Sequence, residues 1–315
     1  MHTHIFTWDY WYLFDKETGL FHVYFLNADK SLVEEKEDVR TGKFMFHSSI
    51  GYSTTKDFES FSLISDKIFT SNKHSWDNTS IWSGDTIKTN DGYLMFYTSR
   101  DADVDDGMTQ NIGIAISDDM KKWITAPAVR IKPDDRYYTT SSIPGDSTVH
   151  AWRDPFVFNY HGVPHMLVSA KDKNQPLGKN GCVALLRSVD NSLFNWEALP
   201  PLLSSGFYSE IELPTLYFDE KGEYVLTFSI WSDLHEAPFA NGEGGLHSMS
   251  LGQDLYNPTI KNEKVLVPES SGIYGCRVVP ECNQEIIGFD YKRGGIKKSG
   301  KTSNLISVNR NFIIS

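Results

Sequence analysis

The feature that most constrains this chain is a repeated hairpin pattern, in which a turn with glycine or polar residues is followed by an apolar, aromatic strand. Four copies have their turn glycine at Gly19, Gly92, Gly162 and Gly222, which are 73, 70 and 60 residues apart, and a weaker fifth copy covers 283–289. Turns of this composition are strong hairpin signals. Short strands that recur at such a period are typical of a radial array. We therefore predict an all-β fold, a five-bladed β-propeller with about four strands in each blade.

One domain is expected to contain the whole chain, residues 1–315, without a C-terminal β-sandwich. No low-complexity segment, linker or stretch with helical periodicity interrupts the repeat. Hydrophobic residues make up 40% of the sequence and aromatic residues 13%, which is enough for a core built from strands. The acidic stretch 34–38 is predicted to be a solvated loop.

The charge balance and the cysteines limit the classes of partner and compartment. Lys and Arg number 30 and Asp and Glu 41, so the net charge of −11 disfavours nucleic acid and anionic membranes as partners. The N-terminus has no secretory signal pattern, and no apolar run is long enough to span a membrane. Three cysteines without metal-ligand spacing suit reduced thiols. We expect a cytoplasmic protein that binds neither nucleic acid nor a membrane.

Carboxylates occupy the first strand of three of the five predicted hairpins. In a propeller the first strand of each blade lines the central channel, so side chains that are distant in sequence meet at one mouth. Asp9, Asp154 and Glu212 lie on such strands, although an unpaired charge in a core strand costs several kcal/mol. Three acids at matching positions therefore indicate a functional site.

Five segments resemble signatures of glycoside hydrolase families 32 and 68, which contain fructosidases and fructosyltransferases built on a five-bladed propeller. Arg153-Asp154-Pro155 is similar to their Arg-Asp-Pro motif, and Glu212-Leu213-Pro214 is similar to their Glu-Cys-Pro motif. Trp8-Asp9 resembles the strand that carries their nucleophile. Segments 81–85 and 113–123 resemble their Ser-Gly segment and a stretch that recurs through the superfamily.

This resemblance implies a role for each candidate residue. Asp9 would be the nucleophile, Glu212 the acid/base, and Asp154 the residue that holds sugar hydroxyls and stabilises the transition state. The other candidates, all for substrate binding, are Arg153 and Glu210 beside these acids, Trp8 and Trp82 as stacking surfaces, Asp85 as a hydrogen-bonding group at the channel mouth, and Arg277 on the fifth first strand. Glu210 is also the rival of Glu212, since both point to the same face of a strand.

Two departures from the family pattern leave the reaction open. Asp9 is followed by Tyr10 rather than by the Pro-Asn-Gly of the family 32 nucleophile motif, and Glu212 is followed by Leu213 rather than by Cys. We predict a glycoside hydrolase that removes a terminal furanoside, such as a β-fructoside, with retention. An inverting arabinofuranosidase or xylosidase of the family 43 type, a transferase or phosphorylase, and a non-catalytic sugar-binding propeller are the alternatives. In each case the partner is a small carbohydrate.

No cofactor or metal ion is expected. The aspartates at 101, 103, 105 and 106 match the spacing of a calcium loop only in part, because Gly107 is one position late and Ile112 occupies the position of the last ligand. We predict a solvated acidic loop at this place.

Overall fold

Residues 4–33, 43–143, 150–190 and 192–312 are described by a computed structural model of the chain. Over these residues the chain forms β-strands joined by turns and seven short 3-10 helices, and no α-helix. The 3-10 helices are Lys30–Leu32, Lys43–His47, Asp105–Gly107, Ser232–Leu234, Pro238–Ala240, Glu269–Ser271 and Pro280–Cys282. The predicted solvated loop at 34–38 lies outside the described residues. In the described part of the chain no helix is long and apolar enough to cross a membrane.

The strands form five antiparallel sheets in chain order. The first sheet contains β1 (Ile5–Asp15), β2 (Leu20–Asp29), β3 (Ser49–Thr55) and β4 (Phe61–Phe69). The second contains β5 (Ile81–Thr89), β6 (Gly92–Arg100), β7 (Gln110–Ser117) and β8 (Ile124–Thr125). The third contains β9 (Arg153–Tyr160), β10 (Val163–Lys171), β11 (Gly181–Ser188) and β12 (Trp196–Leu203). The fourth contains β13 (Glu212–Phe218), β14 (Tyr224–Ile230), β15 (Gly245–Gly252) and β16 (Lys261–Pro268), and the fifth contains β17 (Ile273–Val279), β18 (Glu285–Asp290) and β19 (Ile296–Lys301).

The five first strands form a closed ring, which confirms the five-bladed propeller. β1 contacts β5, β5 contacts β9, β9 contacts β13, β13 contacts β17, and β17 returns to β1. The hairpins follow the turn chemistry of the sequence. Between β9 and β10, His161 and Gly162 both have positive φ, 52° and 83°, which is the requirement of the type I′ turn that suits a two-residue hairpin.

The core lies between the blades rather than at one centre. Each of five clusters of buried side chains joins two neighbouring sheets: Tyr52 and Met95 for the first and second, Phe96 and Met166 for the second and third, Leu167 and Phe228 for the third and fourth, Val225 and Ile286 for the fourth and fifth, and Phe25 and Ile287 for the fifth and first. Full burial of such a side chain contributes about 1.5–3 kcal/mol. This interleaving fixes the blades around the channel.

The end of the chain departs from the predicted pattern of about four strands per blade. The fifth sheet has three strands among the described residues, and β20 (Ile306–Ser307) pairs instead with the channel-facing edge of β13. Further on, the carbonyl of Asn309 accepts a hydrogen bond from the backbone N–H of Asn159. The segment 306–312 therefore runs along the inner strands of the fourth and third blades. It satisfies backbone groups that an innermost strand would otherwise leave unpaired.

Candidate active site

A β-bulge interrupts the first strand of every blade near its beginning. The shifts in register fall between Trp8 and Tyr10, between Trp82 and Gly84, between Arg153 and Phe156, between Glu212 and Thr215, and between Tyr274 and Arg277. A bulge turns a side chain away from the regular alternation of a strand. Asp9, Asp154, Leu213 and Gly275 have φ of 22°, 58°, 53° and 59° at these bulges. The five irregular points form a ring at one end of the channel, and the three predicted catalytic acids lie on or beside them.

Asp154 is a buried carboxylate that is held by several donors. The hydroxyl of Ser83 donates to Oδ1, while the hydroxyl of Ser169 and the backbone N–H of Leu213 donate to Oδ2 over 3.1 and 2.9 Å. The Arg153 Nε atom lies 3.6 Å from Oδ2. These donors come from the second, third and fourth blades, so Asp154 connects the bulges of three neighbouring first strands in a fixed orientation.

Glu212 has two donors, one on each carboxylate oxygen. Arg153 Nη2 lies 3.2 Å from Oε1, and the phenol of Tyr274 donates to Oε2 over 2.5 Å. Burial raises the pKa of the Glu212 carboxyl above its usual value, and the nearby Asp154 adds to this, while Arg153 and the Tyr274 hydrogen bond oppose it. Tyr274 in turn stacks on Trp231 with ring centroids 3.7 Å apart.

Asp9 differs from the other two acids because its carboxylate has no hydrogen-bond or ion-pair partner among the described residues. Burial raises the pKa of Asp9 well above its usual value, and the carboxylates of Asp154 and Glu212 raise it further, while Arg277 and Arg153 lower it. The mutual effect requires the three carboxylates to lie close together. A Cβ atom on Gly275 would lie 3.1 Å from Asp9 Oδ1, so Asp9 rests against the bare backbone of the fifth blade.

Arg153 and Glu210 form the support behind these acids. Arg153 Nη2 contacts Glu210 Oε2 at 2.7 Å, and Lys171 Nζ lies 3.5 Å from Glu210 Oε1. Burial alone would lower the pKa of the Arg153 guanidinium, but Glu210, Glu212 and Asp154 raise it, so that Arg153 stays a cation. Glu210 is thus committed to two cations, whereas Glu212 contacts the tyrosine and faces the other two acids. Of these two glutamates, Glu212 is therefore the one that lies beside both Asp9 and Asp154.

The two tryptophans predicted to stack on sugar lie in different surroundings. Trp8 is 7% exposed and packs edge-on against Phe44, with ring centroids 5.1 Å apart, as part of the core between the first two blades. Trp82 is partly exposed, donates its indole N–H to the Met45 carbonyl over 3.1 Å and lies under the Arg100 guanidinium. Trp82 therefore offers the more accessible ring.

Asp85 and Arg277 lie toward the opposite end of the channel. Both are in the wall of a cleft of about 870 Å³, and Asp9, Asp154 and Glu212 are not. Asp85 contacts Arg310 Nη2 at 2.6 Å through both oxygens and accepts a hydrogen bond from the backbone N–H of Val157 over 2.8 Å. The structure thus brings Asp9, Asp154, Glu212, Arg153 and Glu210 together but leaves Asp85 in a separate ion pair.

Sequence reasoning missed four residues of the site: Ser83, Ser169, Lys171 and Tyr274. Ser83 lies within the segment 81–85 that the resemblance singled out, so its position was available although its contact with Asp154 was not. Tyr274 is the second residue of β17, and only its place beside the fifth bulge brings it to Glu212. Ser169 and Lys171 lie on the second strand of their blade, for which no polar role was considered.

No cluster of three or more His, Cys, Asp or Glu side chains that could hold a metal ion occurs in the described ranges. In the acidic loop, Asp101 forms an ion pair with Arg130 at 3.0 Å, and Asp105 accepts hydrogen bonds from the backbone N–H groups of Met108 and Thr109. These aspartates are thus engaged by the protein itself.

A five-bladed propeller with two aspartates and a glutamate at one end of its channel is the arrangement that the motif resemblance predicts for a glycoside hydrolase. The sequence comparison agrees: residues 18–244 match the family described as the glycosyl hydrolases family 32 N-terminal domain. Because this match spans more than half of the chain, the protein belongs to that glycoside hydrolase family, and the resemblance noted from its motifs is confirmed. The matched range contains Asp154 and Glu212 but begins after Asp9.

Among curated proteins, the chain is 30% identical over 153 residues to the sucrose-6-phosphate hydrolase of Streptococcus mutans serotype c. This similarity covers 46% of the present chain and only 27% of that relative.

Solved structures share the fold along nearly the whole chain. The inulosucrase of Halalkalicoccus jeotgali bound to kestose has a TM-score of 0.68 at 19% identity, covering 98% of this chain and 89% of its own. The β-fructofuranosidase catalytic domain of Microbacterium saccharophilum K-1 has a TM-score of 0.65 at 16% identity, covering 99% and 86%. The levansucrase of Bacillus subtilis has a TM-score of 0.68 at 15% identity, covering 97% and 88%.

Proposed function

We propose that this protein is a retaining glycosidase that removes a terminal β-fructofuranosyl residue from a small carbohydrate. The observation that carries the proposal is that the three acids differ in the number of hydrogen-bond donors that contact their carboxylates. Asp154 is held by three hydrogen-bond donors and Glu212 by two, whereas Asp9 has none among the described residues. A carboxylate that must attack carbon needs free lone pairs, while one that orients sugar hydroxyls needs a fixed position.

In the first step Glu212 gives its proton to the glycosidic oxygen as the bond to the anomeric carbon breaks. A lone pair of Asp9 forms a new bond to that carbon, and the leaving group departs as an alcohol that carries the proton from Glu212. In the second step Glu212 takes a proton from water, the water oxygen bonds to the anomeric carbon, and Asp9 is released as a carboxylate. Asp154 accepts hydrogen bonds from sugar hydroxyls and stabilises the positive charge that develops on the ring.

The charges of the site suit this exchange of a proton. Four acids, Asp9, Asp154, Glu210 and Glu212, lie in the site, and the described cations Arg153 and Lys171 contact Asp154, Glu210 and Glu212. Because burial and mutual repulsion raise the pKa of both Asp9 and Glu212, the two carboxyls titrate as a coupled pair that keeps one proton to higher pH than isolated acids would, and the mechanism places that proton on Glu212. An acid/base near neutral pH needs this property.

The test is hydrolysis of a panel of β-fructosides, arabinofuranosides and xylosides, with NMR detection of the first anomer released. Sucrose 6-phosphate belongs in the panel because the Streptococcus relative is named for its hydrolysis. We expect cleavage of a β-fructoside with the β-anomer formed first. Inversion of the anomer would favour a family 43 type of mechanism, and products longer than the substrate would show transfer to a sugar hydroxyl in place of water. Binding of sugar without turnover would identify a sugar-binding propeller.

We also propose a reducing, cytoplasmic location, on the basis of the thiols. Cys182, Cys276 and Cys282 are all unpaired, and burial raises the pKa of the Cys276 thiol to about 12. Free cysteines are usual where the compartment is reducing. Fractionation of the source cells tests this location, and recovery of the protein outside the cytoplasm would contradict it.

A further inference from the structure

Asp9 and Arg277 are two opposite charges on neighbouring blades, and in the described part of the chain neither has a hydrogen-bond or ion-pair partner. No hydrogen bond or ion pair engages the Arg277 guanidinium among the described residues, and its Nε and Nη2 atoms are buried and unsatisfied. Arg277 as a whole is 3% exposed. A buried cation without a partner costs several kcal/mol unless a compensating charge is nearby, so this arginine needs an explanation.

The backbone brings the two residues to the same part of the channel. Asp9 lies at the bulge of β1, and its Oδ1 atom faces Gly275 of β17, two residues before Arg277. The side chain of Arg277 contributes to the wall of the 870 Å³ cleft at the opposite mouth, which none of the three catalytic acids lines. Arg277 therefore approaches Asp9 from inside the channel, and not from the end at which the three acids meet.

We propose that Arg277 is the counter-ion of Asp9, a positioning residue whose charge favours the ionised form of the nucleophile against the neighbouring acids and leaves the attacking lone pairs uncovered. This inference rests on the proposed function, in which Asp9 attacks the anomeric carbon. A direct ion pair would also keep a carboxylate ionised, but its hydrogen bonds would occupy the oxygens, as Ser83, Ser169 and Leu213 do on Asp154. A cation beyond hydrogen-bond reach avoids that conflict.

Among the described groups around Asp9, Arg277 is the cation that has no other acid in contact. Asp154 and Arg153 face Asp9 from β9, Glu212 from β13, and Tyr274 and Arg277 from β17. Both neighbouring acids raise the pKa of Asp9, and Arg277 opposes them more strongly than Arg153 does. Arg153 is already in contact with Glu210 and Glu212.

Asp9 and Tyr10 of β1 and Tyr217 of β13 face Arg277. Burial raises the pKa of both tyrosines above the usual range, so both phenols are neutral. The acids Asp15, Asp85 and Glu281 line the same cleft, and each already has donors: Thr18 for Asp15, Arg310 for Asp85, and Tyr12 and Ser307 for Glu281. Asp9 is thus the charge that Arg277 balances.

The first experiment compares Arg277→Gln with Arg277→Lys in the full chain, by measuring kcat/KM for the cleaved fructoside as a function of pH. Lys88→Gln is the matched control, since Lys88 is an exposed cation in the wall of the same cleft. We expect the acidic limb of the profile to move to higher pH by about one unit in R277Q, because one positive unit charge is removed from the surroundings of the Asp9 carboxylate. R277K, which keeps the charge, and K88Q should keep the limb of the wild type.

Two outcomes would overturn the proposal. A rise in KM with an unmoved acidic limb would show that Arg277 contacts the substrate. If R277Q and R277K lost activity and melting temperature to the same extent, the role of Arg277 would be packing and not charge. Should R277Q fail to fold, Arg277→Met, which keeps the length without the charge, carries the same comparison.

A second measurement does not depend on turnover. The pKa of Asp9 is titrated by NMR in protein with ¹³C-labelled aspartate, with Asp9→Asn used to assign its signal. We expect a higher pKa for Asp9 in R277Q than in the wild type and R277K. Equal pKa values of Asp9 in the wild type and R277Q would refute the role of Arg277, even if the chain hydrolyses fructosides. A higher pKa in R277Q of a chain that hydrolyses no fructoside would support the pairing of the two charges and contradict the proposed function alone.

Discussion

The two ends of the channel both carry acids on first strands, yet they use them differently. At one end Asp85 is buried and fully engaged, since Arg310 contacts both oxygens and the N–H groups of Thr86 and Val157 donate to them. At the other end Asp9 is half-buried and has no partner among the described residues. Burial of a carboxylate is therefore not what distinguishes the end at which we propose that the reaction occurs. What distinguishes it is a carboxylate that has no partner among the described residues and whose pKa the fold raises.

The ion pair between Asp85 and Arg310 also engages the backbone of a neighbouring first strand. Val157 donates its N–H to Asp85 and accepts a hydrogen bond from Arg310 Nε at its carbonyl over 3.1 Å. The ion pair thus satisfies both backbone groups at the channel-facing edge of β9, three residues from Asp154. Arg310 belongs to the segment 306–312, so the end of the described chain holds the first strands of the second and third blades together.

The largest expected effect is a loss of activity without a loss of stability when Asp9 is replaced. Asp9→Asn should lower kcat by about a thousand-fold or more, since it removes the attacking group, and should leave the chain at least as stable at pH 7. The pKa of the Asp9 carboxyl is higher in the folded than in the unfolded protein. Any stability that this carboxyl gives is therefore fully present below its unfolded pKa, and it is lost as the pH rises through its folded pKa. Urea unfolding and steady-state kinetics measure both. A D9N protein that is much less stable at pH 7 would contradict this account of Asp9.

The opposite behaviour is expected at the other end. Asp85→Asn or Arg310→Gln breaks a buried ion pair and should lower the free energy of unfolding by about 3 kcal/mol. The double variant should lose less than the sum of the two, because either single change leaves an unpaired group. Urea unfolding of the four proteins provides the cycle. If the D85N variant kept full stability but lost substrate affinity, the original prediction of Asp85 as a substrate-binding residue would be right.

Gly275→Ala sharpens the comparison at the reactive end with a smaller effect. Its Cβ would lie 2.5 Å from the Phe289 ring and 3.1 Å from Asp9 Oδ1, at a φ of +59° that suits glycine. We expect a loss of stability of about 1–3 kcal/mol from strain and, because Asp9 is displaced, a fall in kcat of about ten-fold or more. Gly222→Ala is the control, since a Cβ there meets nothing although its φ is also positive, 74°. A G275A variant with unchanged kcat would show that this contact does not place Asp9.

Tyr274→Phe should have the smallest effect. The tyrosine donates to Glu212 and so favours its ionised form. Without this hydrogen bond the pKa of Glu212 rises, and the alkaline limb of kcat/KM, which requires the protonated acid, should move up by less than about one pH unit. A pH profile of the Y274F enzyme checks this. Movement of the limb to lower pH would contradict the assignment of Glu212 as the acid.

The sequence predicted the ring and most of the acids, because hairpin turns and strand patterns are local and motifs are short. Arg153, Asp154 and Glu212 could be found in this way. The bulges could not, since left-handed conformations at Asp9, Asp154 and Leu213 are imposed by the packing of first strands around the channel and not by residue type. The separate role of Asp85 was equally hidden, because its partner Arg310 lies 225 residues away.

The central claim is that Asp9 attacks the anomeric carbon while the other acids do not. The most direct measurement is mass spectrometry of Glu212→Gln protein that has been quenched by acid during reaction with a fructoside bearing a good leaving group. Such a substrate needs no protonation to form the covalent intermediate, and the missing base slows its hydrolysis. We predict a fructosyl adduct on the peptide that contains Asp9. An adduct on Asp154, or release of inverted product with no adduct at all, would contradict the account.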